Sequence, residues 1–373
     1  MHTFGRHWIG IVIISCVLIG ACARQPESVG PRFSGRLLLL AGENTNGADL
    51  VELSAAQAGS TYNYSIVTSG VFEAVASPEQ TRILYTTKDG ILLRDLRTGA
   101  VRPLVIGKNY CLAWSPDGKR FSYKQKSTTG AAGPKLYVSD LDGKAKLVWE
   151  DLVADSTVRP LGQSSSGSSG CGHWIAPDRL IFDRFVGAPT KQQKTGEVLK
   201  PNTTTLAILS DQVKLQDTAR RWSIESVCPV GSVALLRPHD QAQPILIAKN
   251  LDHLETLDPA PVSCSGCRFV GFAAQSCVPF LIEDQTSTRS ELFSLNPTNW
   301  QRQRGARIDR TFSETAQMLI NSSAKLMIVG DAPALLLLVD TESGETVPFF
   351  PKSAGSTADP KLQLPRPVVW IEN

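Results

Sequence analysis

The sequence predicts an all-β fold, a closed ring of seven four-stranded sheets with a count of six or eight also compatible, and three observations predict it. From Arg36 onward, short runs rich in Val, Ile, Leu and Tyr alternate with turn clusters, and no long stretch carries the 3.6-residue apolar period of a helix. One run-turn-run pattern recurs roughly every 40 residues, the spacing of ring-forming four-stranded units. The two ends of the region each read as an incomplete unit, and they complete one another.

Ahead of the repeats, His2, Arg6 and His7 precede the apolar run Trp8 to Ile19, followed by the small residues Gly20 and Ala21. A positive start, a short apolar core and small residues before a cut describe a secretory signal. A membrane-spanning helix needs about 20 apolar residues, more than this run has. Ile19-Gly20-Ala21-Cys22 resembles the lipobox of bacterial lipoproteins, in which the cysteine is diacylated and becomes the first residue. Ile13-Ile14-Ser15-Cys16 fits the same pattern but leaves a core of only Trp8 to Ile14, and an ordinary secretory signal with an incidental cysteine is the other reading. The resemblance implies a signal over residues 1–21 and lipid attachment at Cys22. Acyl chains, at about 0.8 kcal/mol per buried CH₂, would then hold the chain on a membrane. With Ala23 rather than Asp in the next position, it also implies the outer membrane, facing the periplasm, in a Gram-negative host. Residues 22–35 are then the lipidated cysteine and a Pro- and Gly-rich tether, and residues 36–373 the folded domain.

The clearest unit starts with Leu112-Ala-Trp-Ser-Pro-Asp-Gly-Lys-Arg-Phe-Ser-Tyr123. In Ser115-Pro116-Asp117-Gly118, Pro presets φ, Asp bonds locally to backbone and Gly accepts positive φ, so two strands meet there as a hairpin. Lys135 to Asp140 and Ala145 to Trp149, joined at Asp142-Gly143, add a third and a fourth strand. Four antiparallel strands with this signature resemble one blade of a TolB-type β-propeller. The frame recurs with decay from Ala76-Ser77-Pro78-Glu79, from Trp174-Ile-Ala-Pro-Asp178, and more weakly from Val227, Val270 and Lys325. Arg36 to Ala41, Asp49 to Leu53 and Tyr62 to Val67 align with the second, third and fourth strands of a blade lacking its first. Val368-Val-Trp-Ile-Glu-Asn373 aligns with an isolated first strand, Trp370 standing where Trp114 stands. The expected architecture is thus a seven-bladed β-propeller closed by the carboxyl-terminal strand, which removes the open sheet edge.

In that frame Cys111 and Cys171 lie three residues before Trp114 and Trp174, at equivalent heights on neighbouring first strands. Cys228 and Cys277 fall near first-to-second-strand turns of adjacent blades, and Cys264-Ser-Gly-Cys267 is a local pair. The expected bridges are Cys111 to Cys171, Cys228 to Cys277 and Cys264 to Cys267, as an even cysteine count in an oxidising compartment favours. A metal site on Cys264 and Cys267 would need a second ligand pair at usable spacing, and no metal is expected.

Loss of Arg6 with the signal lowers the formal charge from +3 to +2, too balanced to suggest a nucleic-acid partner. No cofactor is expected and no catalytic residue is assigned. Gly162-Gln-Ser-Ser-Ser-Gly167 misses the nucleophile-elbow spacing, and phosphate-loop and His-Glu-x-x-His motifs do not occur. Propeller-bearing peptidases carry a separate hydrolase domain, for which residues 36–373 leave no room. His173, His239 and His253 have no second ligand at regular spacing. Asp140-Leu-Asp142-Gly143 reads as a turn rather than a calcium loop, and Trp114, Trp174 and Trp370 as interblade packing. Three long connections, 125–134, 152–170 and 185–203, should share one face and cluster over the third and fourth blades. They carry Lys126, Arg159, Lys191, Lys194 and Lys200 around a Ser-rich centre. The cluster reads equally as a mildly basic recognition surface or as tolerated insertion. The resemblance implies a scaffold role, with an envelope protein or peptide as partner and the membrane contacted through the lipid. The alternative is an enzyme acting on a glycan or peptide at the channel mouth, favoured by paired carboxylates there and disfavoured by an apolar channel. A carbohydrate or small-molecule binder ranks last, since Phe185 is the one aromatic at those loops.

Overall fold

A computed structural model of the protein describes residues 34–55, 62–127, 133–151, 168–169, 171–185, 190–191, 198–199, 203–217, 222–228, 233–238, 246–248, 260–262, 266–273, 276–296, 298–303, 305–314, 316–321, 323–331, 335–348 and 366–371. The signal, Cys22 and the tether up to residue 33 lie outside them. No helix among the described residues is long and apolar enough to cross a membrane.

Seven antiparallel four-stranded sheets form a seven-bladed propeller. Blade 1 takes its inner strand, 366–371, from the carboxyl terminus and adds 36–44, 47–55 and 62–71. The closure pairs Leu37 with Trp370 and Leu38 with Val369, as the two incomplete ends predicted. Blades 2 to 7 follow in chain order, with inner strands 73–76, 109–114, 173–176, 222–227, 268–272 and 317–320. Blade 4 gains a fifth strand, 168–169, and residues 190–191 pair with 198–199 as a separate short hairpin.

A blade is buried on both faces, which is why its middle strands read as unbroken apolar runs. Side chains alternate along a strand, so in Arg36–Asn44 Leu37 and Leu39 pack against blade 7 while Leu38 and Leu40 pack against blade 2. The core therefore divides into seven apolar clusters, one in each interface between neighbouring blades.

The turn from inner to second strand repeats one construction. A residue just past the inner strand donates its own N–H to a carbonyl of the returning chain: Ser77 to the Arg82 carbonyl at 2.9 Å, Ser115 to that of Arg120 at 2.9 Å, Asn321 to that of Leu326 at 3.0 Å. The Ser115 hydroxyl also takes the Arg120 N–H at 2.9 Å and donates to Asp117 at 2.6 Å. Gly118 sits at φ 64°, where a Cβ would meet the Glu79 carboxylate at 2.6 Å. Between blades, the Trp114 indole N–H reaches the Val75 carbonyl at 3.1 Å and the Trp174 indole the Ala113 carbonyl at 3.2 Å. The guanidinium of Arg82 lies 5.3 Å over Trp114 and that of Arg120 5.6 Å over Trp174, and each arginine bonds a turn carbonyl of the next blade, Gly118 and Pro177. The tryptophans are packing residues, as expected, and the arginines complete an interblade clasp that the sequence reading did not include.

Cys111 and Cys171 are bridged with Cα atoms 5.2 Å apart, and Cys228 and Cys277 at 5.5 Å. Both join adjacent blades as predicted. Cys267 is also disulfide-bonded, while its expected partner Cys264 lies outside the described residues. Such bridges belong to an oxidising, extracytoplasmic compartment. Opening the first with Cys111→Ser and Cys171→Ser together should lower stability by about 2–4 kcal/mol, read by urea denaturation. Reductant should then shift the double variant less than the parent protein.

Candidate binding site on the loop face

Turns from first to second and from third to fourth strands leave the ring on one side, here the turn face. Second-to-third connections and links between blades leave on the other, the loop face. Over blades 1 and 2 the loop face carries two apolar side chains in water: Phe72, 43% exposed, and Ile106, 84% exposed. Their backbones are fixed. The Phe72 N–H donates to the Thr86 carbonyl at 3.0 Å, and the Ile106 carbonyl accepts from the Gln125 side chain at 3.0 Å. Gly107 N–H bonds the Asp89 carbonyl at 2.9 Å, joining the blade 2 link to the turn beside it. Between these points lies a groove of about 740 Å³, lined among others by Thr45, Thr68, Tyr85 and Lys88.

Lys88, Lys108 and Lys126 are all exposed on this face, and among the described residues Asp89 is the acid that lines the groove. The Lys126 N–H donates to the Lys108 carbonyl at 3.0 Å, and its ammonium lies 5.8 Å over the Tyr110 ring. Lys126 is thus the predicted loop residue that the structure places beside the groove. Lys191 pairs with Val198 in the short hairpin, its side chain outside the described residues, as are Arg159, Lys194 and Lys200. The groove itself lies over blades 1 and 2, on residues the sequence reading did not single out. Exposure of Phe72 and Ile106 is a product of the ring closing, and no linear signal marks it.

Beneath Tyr110, Lys124 and Asp151 form an ion pair at 2.8 Å, with side chains only 4% and 2% exposed. The pair anchors the start of the connection that follows residue 151, and the Asp151 N–H bonds the Pro134 carbonyl at 2.8 Å. Burial, and secondarily the Asp151 charge, raise the Tyr110 hydroxyl.

The loop-face end of the inner strands carries Glu73. A bulge with Cys111 at φ 60° interrupts the blade 3 ladder between Tyr110 and Ala113, and the freed Leu112 N–H donates to the Glu73 carboxylate at 2.9 Å. Burial raises the Glu73 carboxyl, partly offset by backbone donors at Leu112 and Cys111 and by Arg366. The channel below is lined by one inner-strand residue or more from every blade and contains no acidic or basic side chain other than His173 among the described residues. Burial pulls the His173 imidazole down to about 4 from 6.5. A base whose folded value is depressed stays neutral while the unfolded chain protonates. His173 should therefore cost stability as pH falls from 6.5 towards 4, by up to about 3 kcal/mol, and His173→Phe should flatten that slope in denaturation series run across this window. Asp140 closes its own turn, accepting from the Asp142 and Lys144 N–H groups at 3.0 and 2.9 Å, which is the turn chemistry expected of it.

No protein-family model matches the chain, and no curated protein matches it in sequence. Solved structures are similar in fold. An oligogalacturonate lyase from Vibrio parahaemolyticus is 12% identical over 89% of this chain and 90% of its own, with a TM-score of 0.54. The periplasmic gluconolactonase of Pseudomonas aeruginosa is 14% identical over 90% and 100%, with a TM-score of 0.51. A functionally unknown protein from Desulfotomaculum acetoxidans is 10% identical over 89% and 98%, with a TM-score of 0.54. What the chain shares with them is the seven-bladed β-propeller fold.

Proposed function

We propose that the protein is a non-catalytic, extracytoplasmic scaffold, held to a membrane through lipid on Cys22, whose loop face docks another envelope protein or peptide. The observation that carries this reading is the pair Phe72 and Ile106, exposed at the rim of one groove and flanked by Lys88, Lys108 and Lys126. Apolar side chains held in water on a fixed backbone gain about 25 cal/mol per Å² when a partner covers them. The lysines favour a partner segment with an apolar side chain next to acidic residues, and they speed encounter more than they tighten it. Glu73, its carboxylate occupied by backbone N–H groups, supports a positioning role rather than proton transfer, and the channel offers no facing carboxylate among the described residues.

The reading is tested with the full chain, purified from detergent-solubilised membranes of its native host together with whatever it retains. Phe72→Asp with Ile106→Asp should lose a reproducible envelope partner, at least tenfold by quantitative mass spectrometry, while the thermal midpoint stays within a few degrees. Full retention by the double variant would remove the groove from recognition.

A further inference from the structure

We propose that the central channel is a second binding site, for a small, uncharged and largely apolar ligand, oriented by one hydrogen bond to the His173 imidazole. Its wall is assembled from the whole ring. Val368, Ala74, Leu112, Val227, Phe272 and Leu319 come from blades 1, 2, 3, 5, 6 and 7, and His173 comes from blade 4. Except for Leu112, each of these is only half-buried, so apolar surface is left facing the cavity. Towards the turn face, Pro78 and Gln80 join the lining.

The cavity measures about 460 Å³. Small-molecule sites run to roughly 300–1,000 Å³, mostly apolar with a few placed polar groups, and this channel has both properties. Water against such a wall finds few partners, and an apolar body that displaces it gains the burial. A carboxylate or ammonium would lose its hydration with no opposite charge to meet among the described residues, so their lining disfavours charged ligands. Among the described residues none hydrogen-bonds the His173 imidazole, which in its neutral form offers one donor and one acceptor. That leaves it available to a single hydroxyl, amide or amine on an otherwise apolar molecule. The channel and the loop-face groove share no lining residue, so the two sites can be separated by substitution.

The probe is N-phenyl-1-naphthylamine, neutral, with one N–H and an emission that rises in apolar surroundings, titrated into the full chain. Saturable binding at one site per chain is expected. Leu319→Lys should weaken it at least tenfold, and His173→Phe by about threefold to tenfold with the stoichiometry unchanged, the loss of one hydrogen bond. Phe72→Asp with Ile106→Asp should leave it as in the parent protein. If Leu319→Lys does not fold, His173→Phe, which keeps a ring in place, carries the comparison. No saturable binding by the parent protein would overturn the proposal. So would binding that survives the channel substitutions and disappears with Phe72 and Ile106.

Discussion

Deletion of residues 366–373 is expected to abolish the cooperative thermal transition. Those residues supply the inner strand of blade 1, pairing with Arg36 to Leu40, and Trp370 fills the interface between blades 7 and 1. Its indole N–H donates to the Ser34 carbonyl at 2.8 Å. Truncating one such buried aromatic to Ala costs about 3–5 kcal/mol, and whole domains are stable by only about 5–15 kcal/mol. Loss of the entire strand also leaves the ladder edge of residues 36–40 open to pairing with other chains. Trp370→Ala should accordingly fold with a much lower midpoint, and the deletion should show no calorimetric transition and should aggregate. A deletion variant melting within a few degrees of the parent would mean that the ring does not depend on its closing strand.

Lys124→Met should be the most damaging single substitution of a charged residue. It leaves the Asp151 carboxylate buried without its ammonium, and Asp151 Oδ1 already lacks a donor among the described residues. Removing one partner of a buried pair costs about 3–5 kcal/mol, whereas replacing both with apolar groups of similar size is often neutral or stabilising. The double variant Lys124→Met with Asp151→Leu should therefore recover most of the loss in urea denaturation. A single variant as stable as the parent would show that the pair contributes nothing beyond packing.

The architecture was legible because its signals are local. The Ser115 to Gly118 turn encodes its own hydrogen bonds, and the four consecutive leucines from Leu37 to Leu40 announce a strand buried on both faces. Two cysteines three residues before equivalent tryptophans fix a height on neighbouring blades, which is why Cys111 and Cys171 could be paired in advance. The same frame let Val368 to Asn373 be read as the missing strand. The site was far less legible. Phe72 lies in a link and Ile106 at a strand end, and only tertiary placement leaves both in water. Nothing in Lys124-Gln-Lys126 marks Lys124 as buried, and its burial depends on Asp151, 27 residues on, which meets it. The inner-strand residues that line the channel come from seven blades far apart in sequence and are mostly ordinary apolar types, so nothing but the ring brings them together.

Photocrosslinking in the native host tests the proposed docking of a partner on the loop face over blades 1 and 2. A photoreactive amino acid replaces Ile106 in one strain and Leu215, 41% exposed on the outer strand of blade 4, in another. Docking there should give a discrete protein adduct from position 106, lost on adding Phe72→Asp, and none from position 215. Adducts from 215 and not from 106, or equal adducts from both, would contradict it.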